Sequence, residues 1–161
     1  MDILTYNPEH DAFRQRLRIF CETEVTPYVD QWEADRIVPK SVWRKMGQGG
    51  FLCPGVAPTY GGLGGDFRYS VIVAEALART AHTGLAAGLH SDVVVPYIDT
   101  YGSQAVKRRY LPRCVSGECI TAIGMTEPDA GSDLAGMKTT AVEEGDTVVV
   151  NGSKTFISNG I

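Results

Sequence analysis

One change of pattern near Gly117 constrains this chain more than any other feature. Before it, apolar residues recur at spacings of three to five, the period of helices packed on one face. After it, β-branched runs alternate with turn residues, the mark of strands. Helices first and strands second predict an α+β protein or two separate domains. The boundaries read as an all-helical N-terminal domain over 1–115 and the start of a β domain over 116–161.

In the helical part, Asn7 is a good N-cap and Pro8 fits the first helical position. Phe13, Leu17, Phe20, Val25, Tyr28 and Trp32 give the inward face of a helix over 7–35, which Pro27 should kink or split. A short helix after Pro39 carries Val42, Trp43 and Met46, with Gly47 as its stop. Eight of the chain's 18 glycines fall between Gly47 and Gly65, so 49–66 reads as a loop. Asp66 caps a helix over 67–81, with Tyr69, Val73, Ala76, Leu77 and Thr80 on one face. The stretch 83–101 is apolar nearly all round, which predicts a helix buried on most sides, and Pro96 inside it is a local conflict. Ser103 caps a last helix to Val115, with Val106, Tyr110 and Leu111 inward.

Beyond Gly117, residues 119–125 form a short apolar run. Residues 138–142 and 147–150 read as a hairpin around Glu143-Glu144-Gly145-Asp146. Asn151-Gly152 reads as a second tight turn, and 155–158 as a further strand. Three or four strands without a return partner leave open edges. The chain is therefore expected to be part of a longer protein.

Composition closes off several classes. The chain has 161 residues, 43% of them hydrophobic and 21% charged, and a net charge of −4. That balance excludes a disordered chain and argues against nucleic acid as the main partner. No apolar run reaches the length of a membrane span. Met1-Asp2-Ile3-Leu4 has no signal-peptide character, so the expected location is the cytoplasm. Cys21, Cys53, Cys114 and Cys119 lack metal-ligand spacing and read as reduced structural thiols, with no metal site.

No Rossmann, P-loop or nucleophile-elbow motif is present. The run Lys107-Arg108-Arg109 with Arg113 reads as a solvated helix face, and His90 as a satisfied core residue. Two segments carry more. Met125-Thr126-Glu127-Pro128-Asp129-Ala130-Gly131-Ser132-Asp133 is either a polar turn or a ligand loop. As a turn, Pro128 sets it, Gly131 allows positive φ, and Asp129 and Asp133 cap amides. As a ligand loop it offers hydroxyls and backbone N–H groups to carbonyl or phosphate oxygens. In Lys154-Thr155-Phe156-Ile157-Ser158-Asn159-Gly160, strand alternation puts Phe156 and Ser158 on one side. An aromatic ring beside a hydroxyl suits a flat heterocycle.

Taken together, M-T-E-P-x-A-G-S-D followed after about twenty residues by N-G-x-K-x-F-I-S-N-G resembles the acyl-CoA dehydrogenase family. The glycine-rich stretch 47–65, His90-Ser91, Tyr101-Gly102-Ser103 and Tyr110-Leu111-Pro112 match in order and spacing, so the resemblance spans the chain. It is strongest to the long-chain-type branch, although Asp129 stands where glycine is usual. The resemblance implies a helical N-terminal domain, a middle β-barrel domain of which this chain holds the opening strands, and a C-terminal four-helix domain outside it. It implies FAD as cofactor, a saturated acyl-CoA as substrate and a trans-2-enoyl-CoA as product. An electron-transfer flavoprotein would be the electron acceptor and a homotetramer the assembly. The location would be bacterial cytoplasm, or the mitochondrial matrix in a eukaryote.

By position match, Ile123, Gly124, Met125 and Thr126 would serve the pyrimidine edge of the flavin. Ser132 would reach the phosphate region of FAD or the CoA, and Gly131 beside it would also belong to the cofactor site. Phe156 would cover the ring, Ser158 would donate to the flavin nitrogen that accepts hydride, and Ile157 between them would also belong to the cofactor site. Ala87, Gly88 and Ser132 would face substrate. No catalytic residue is expected within the chain: the family's glutamate base lies beyond Ile161, and Glu75, Glu118 and Glu127 are not assigned to that role. The alternatives are an acyl-CoA oxidase and a non-catalytic family member that serves as a partner subunit.

Overall fold

Capping decides where the first helix begins. In the computed structural model, which describes residues 4–160, the Asn7 side chain accepts from the His10 N–H at 2.9 Å. His10 Nδ1 in turn accepts from the Asn7 N–H at 3.2 Å. This reciprocal box, with histidine in place of the usual glutamate, starts α1 (Pro8–Phe20). Pro27 splits the expected 7–35 helix as predicted. The chain widens into a π-helical stretch at Cys21–Val25, tightens into a 3₁₀ turn at Thr26–Tyr28, and resumes as α2 (Val29–Asp35). Phe13, Leu17, Val25 and Trp32 are buried, but Tyr28 is exposed because the 3₁₀ turn shifts the helical phase.

α3 (Lys40–Gln48) buries Val42, Trp43 and Met46. Gly47 is not its stop. It lies inside the helix, where an added Cβ would stand 2.3 Å from the Ser116 backbone, and the chain turns three residues later at Gly50, with φ 73°. Gly47 thus marks a close approach of two backbones.

α4 (Phe67–Ala78) is capped by Asp66, whose carboxylate accepts from the Arg68 N–H. The same carboxylate pairs with the Arg68 guanidinium, which holds it well below the usual carboxylate range. Ile72 is the most buried residue of this helix and belongs to the face expected for Val73 and Leu77.

The expected 83–101 helix starts later. Residues 81–86 are irregular, Leu89–Val94 is π-helical, and α5 covers Val95–Tyr101. The π-helical stretch settles the Pro96 conflict, since it sets the proline within the first two positions of a new α-segment, where a missing N–H is tolerated. Burial on most sides does not hold: Val93, Tyr97 and Tyr101 are exposed, because the apolar run wraps farther round the helix than the adjoining core reaches.

α6 (Gln104–Val115) is capped by Ser103 and buries Leu111, Cys114 and Val115. Val106, expected inward, is exposed in the first turn of this helix.

His90 lies at the centre of the helical core with no exposed surface. Its Nδ1 accepts from the Thr121 N–H at 3.1 Å, so Nε2 carries the proton and donates to the Cys114 carbonyl at 3.1 Å. Burial pushes its pKa down. This is the satisfied core histidine the sequence predicts. Burial likewise pushes the Cys53 and Cys114 thiols up to about 12 and Cys21 to about 11, which keeps them inert.

The chain divides into two compact units between Thr121 and Ala122. The second unit contains one antiparallel hairpin, β1 (Thr140–Glu144) and β2 (Thr147–Asn151), with Glu144 opposite Thr147. Gly145 opens its two-residue turn with φ 61°, where a primed turn needs glycine. All ten strand residues are exposed. Of the three or four expected strands, two form among the described residues. Residues 119–125 and 155–158 do not join a ladder. Nor is Asn151-Gly152 a turn. Asn151 ends β2, and a Cβ at Gly152 would meet the Thr139 hydroxyl at 2.1 Å, so this glycine also serves a close approach.

Candidate functional site

The two motif segments fold against each other inside the second unit. Pro128 and Asp129 form a turn closed by the Glu127 N–H on the Ala130 carbonyl (2.9 Å) and the Ala130 N–H on the Glu127 carbonyl (3.2 Å). This turn is followed by a 3₁₀ turn at Leu134–Gly136, which leads towards β1.

Glu127, 6% exposed, joins three segments. Its carboxylate accepts from the Lys154 ammonium at 2.8 Å, the Lys138 N–H at 2.6 Å and the Thr139 N–H at 3.0 Å. These donors, Lys154 first, pull its pKa down to about 2. A carboxylate held this firmly as an anion is a structural tie and a poor base. The Lys154 ammonium also donates to the Met125 carbonyl at 3.1 Å and touches Met137 Sδ at 3.2 Å. The Thr155 N–H donates to the Thr126 carbonyl at 2.9 Å. Sequence reasoning placed Glu127 in the loop and Lys154 in the motif without linking them. The one available signal was that Lys154 is the sole charged residue of the second motif, while the first offered it three acids, Glu127, Asp129 and Asp133, with nothing local to choose among them.

These ties leave a row of donors open. The backbone N–H groups of Ile123, Gly124, Met125 and Thr126 donate to no group among the described residues. A Cβ at Gly131 would meet nothing within 4 Å, and Ser132 is exposed. Three local expectations fail here. Gly131 does not have positive φ. Asp129 pairs with Lys138 Nζ at 2.9 Å rather than capping an amide. Asp133 precedes the 3₁₀ turn without a side-chain cap.

The second motif differs as well. Phe156 adopts φ 54° and is 94% exposed, which breaks the strand alternation meant to align it with Ser158. Both side chains, and Ile157, are open to solvent for a different reason: they lie on a loop that reverses at Ser158-Asn159. The remaining expected residues belong to the first unit. Ala87 is fully buried in the helical core, whereas Gly88 is half-buried, with the Asp92 carboxylate 3.9 Å from where a Cβ would stand.

The chain is thus a helical unit followed by a hairpin unit, in which a loop of free amides is tied to a second loop bearing an exposed aromatic. The sequence models described as "Acyl-CoA dehydrogenase, N-terminal domain" and "Acyl-CoA dehydrogenase, middle domain" match residues 7–118 and 122–161. The chain belongs to the acyl-CoA dehydrogenase family. It is 44% identical over 155 residues to the mitochondrial long-chain specific acyl-CoA dehydrogenase of Sus scrofa, covering 96% of this chain and 36% of that protein. An acyl-CoA dehydrogenase structure from Geobacillus kaustophilus superposes with TM-score 0.93 at 53% identity, covering 97% of this chain and 41% of the other. A glutaryl-CoA dehydrogenase from Mycobacterium smegmatis in complex with FADH2 gives TM-score 0.89 at 28% identity, over 96% and 40%. The chain thus spans about two fifths or less of the length of these relatives. Among the described residues, no helix is long and apolar enough to cross a membrane.

Proposed function

We propose that the whole protein is an FAD-dependent acyl-CoA dehydrogenase that converts a saturated acyl-CoA to a trans-2-enoyl-CoA, with a long acyl chain as the favoured class. The observation that carries this reading is the open row of backbone donors at Ile123–Thr126. Rigid, unpaired N–H groups suit the oxygens and nitrogens of a flavin edge, and donors fixed in advance stabilise negative charge as it develops there. The residues present fit the cofactor. Ile123, Gly124, Met125 and Thr126 serve its pyrimidine edge, with the Thr126 hydroxyl beside them. Gly131 and Ser132 leave room and a donor for phosphate. Phe156 covers the ring, and the backbone of Ile157 and the Ser158 hydroxyl donate to it. When bound, the flavin supplies the two-electron acceptor that takes hydride from the β-carbon.

Removal of the α-proton needs a positioned base. Glu127 is committed to Lys154 and two amides, so the base comes from another part of the whole protein. Gly88, which is half-buried, faces the acyl chain more readily than the fully buried Ala87. Electrons leave to an electron-transfer flavoprotein, and the assembly is a homotetramer.

The test is spectroscopic. The intact protein, purified without added cofactor, is expected to carry flavin absorbance that bleaches on anaerobic addition of long-chain saturated acyl-CoA. Rapid recovery of the oxidised spectrum in air would favour an oxidase. A flavin-free protein unable to take up FAD would remove the reading.

A further inference from the structure

Resting on that flavin reading, we propose that Lys154 is a positioning residue, which aims the Thr126 amide at the cofactor. Its ammonium lies on the Met125 carbonyl at 3.1 Å. No peptide among the described residues is cis, and in a planar trans peptide the C=O and the following N–H point in opposite directions. Holding the Met125 oxygen therefore turns the Thr126 N–H to the opposite side of the backbone, where it meets no acceptor among the described residues. The adjoining residue fixes the next peptide in the same way. The Thr155 N–H holds the Thr126 oxygen at 2.9 Å, and the Glu127 N–H beyond it is committed to Ala130. Residues 154 and 155 thus set two successive peptides of the first motif from the second.

The remaining partners of Lys154 show why a lysine stands here. Its compact ammonium has three protons to place. Glu127 Oε1 at 2.8 Å and Met137 Sδ at 3.2 Å complete the set with the Met125 carbonyl. Glu127 cancels its charge, so Lys154 acts on the site through geometry and not through attraction of an anion. Its stem needs a path as well. A Cβ at Gly124 would lie 3.3 Å from Lys154 Cγ, so the glycine keeps that path clear. Lys138 is a natural comparison, because it pairs with Asp129 in the open, with both side chains more than two-thirds exposed.

The experiment uses the intact protein as wild type, Lys154→Met, Lys154→Gln and Lys138→Met. Two quantities are measured: the midpoint potential of bound FAD, and the hydrogen exchange of the Thr126 amide. Lys154→Met is expected to lower the potential and to favour oxidised over reduced flavin by about 2- to 10-fold, the worth of one hydrogen bond. Exchange at Thr126 rises while far-UV dichroism stays unchanged. Lys154→Gln shifts the potential in the same direction by less, and Lys138→Met matches wild type on both measures. If Lys154→Met does not fold, Lys154→Gln decides, and wild-type values for it overturn the proposal. An unaltered potential and unaltered Thr126 exchange in folded Lys154→Met also overturn it. If wild type itself takes up no FAD, the flavin reading falls, and the carbonyl ¹³C shift of Met125, which changes in Lys154→Met only if the ammonium holds that oxygen, still decides whether Lys154 positions the peptide.

Discussion

Replacing Gly47 with alanine separates two physical effects that act in opposite directions. Glycine inside a helix is disfavoured relative to alanine by about 1 kcal/mol, so propensity alone makes Gly47→Ala stabilising. The structure reverses that sign. The new Cβ would lie 2.3 Å from both the carbon and the oxygen of the Ser116 carbonyl and 2.7 Å from the Val115 oxygen. Ordinary contact begins near 3.4 Å, so α3 and the end of α6 must separate by roughly 1 Å. All three obstacles are backbone and none can rotate away. The partner surface has no slack either, since a Cβ at Gly117 would meet the Trp43 oxygen at 2.2 Å.

Overpacking of this kind costs about 1–3 kcal/mol, and backbone on both sides puts it at the upper end. Net of the propensity gain, Gly47→Ala should destabilise by about 2 kcal/mol. That corresponds to a fall in Tm of about 4–8 °C for a chain of this size. The control is Gly88→Ala, also in helical geometry, where the nearest atom to a new Cβ is 3.9 Å away. It should gain up to about 1 kcal/mol. Urea midpoints and thermal melts of both variants give the comparison. A Gly47→Ala protein as stable as wild type, with Gly88→Ala stabilised as expected, would refute the close-approach argument.

Three further outcomes are expected. Glu127 has its folded pKa depressed from 4.5 to about 2, so its contribution is complete above pH 4.5 and is lost as pH falls towards 2. Urea midpoints should show that slope in wild type and a flatter one in Glu127→Gln, which is also less stable at pH 7. His90 is held neutral, with its pKa pushed below 6.5 by burial. It stabilises fully above pH 6.5 and progressively less as pH falls below that value. His90→Leu removes this dependence and costs about 1–3 kcal/mol, because the Thr121 N–H and the Cys114 carbonyl each lose the hydrogen bond to the imidazole; a melting curve equal to wild type would contradict it. Ser158→Ala should melt within about 0.5 kcal/mol of wild type, since the hydroxyl is exposed. It should retain FAD yet turn over more slowly, which anaerobic flavin reduction by acyl-CoA measures; a colourless variant would show that Ser158 holds the cofactor instead.

Much of the site was legible as composition and little of it as geometry. The two motif segments stand out because hydroxyls, glycines and an aromatic cluster there outside any helical period. Which of their groups are free is a separate matter. Phe156 reads as a strand residue, and β-propensity supports that reading, but no neighbouring strand pairs with it among the described residues, and it adopts a left-handed backbone instead. Gly131 reads as a turn glycine and proves to be one with space beside it. Ala87 and Gly88 look equivalent side by side, yet one fills the core and the other is half-buried.

What the sequence by itself determined is what short-range physics can decide. Asn7, Asp66 and Ser103 cap helices because a side-chain oxygen reaches an amide two or three residues away. Gly145 places the hairpin because only its own φ matters. The change of period near Gly117 separates helices from strands for the same reason, since each period is a property of neighbouring residues. Tertiary structure decided everything that depends on a partner far along the chain. Gly47 faces Ser116, 69 residues on, and so marks a contact rather than an end. Glu127 finds Lys154 across 27 residues and becomes a tie rather than a base. A residue type limits which interactions are available, but burial, charge state and free donors follow from what packs against it, and that is set only when distant segments meet.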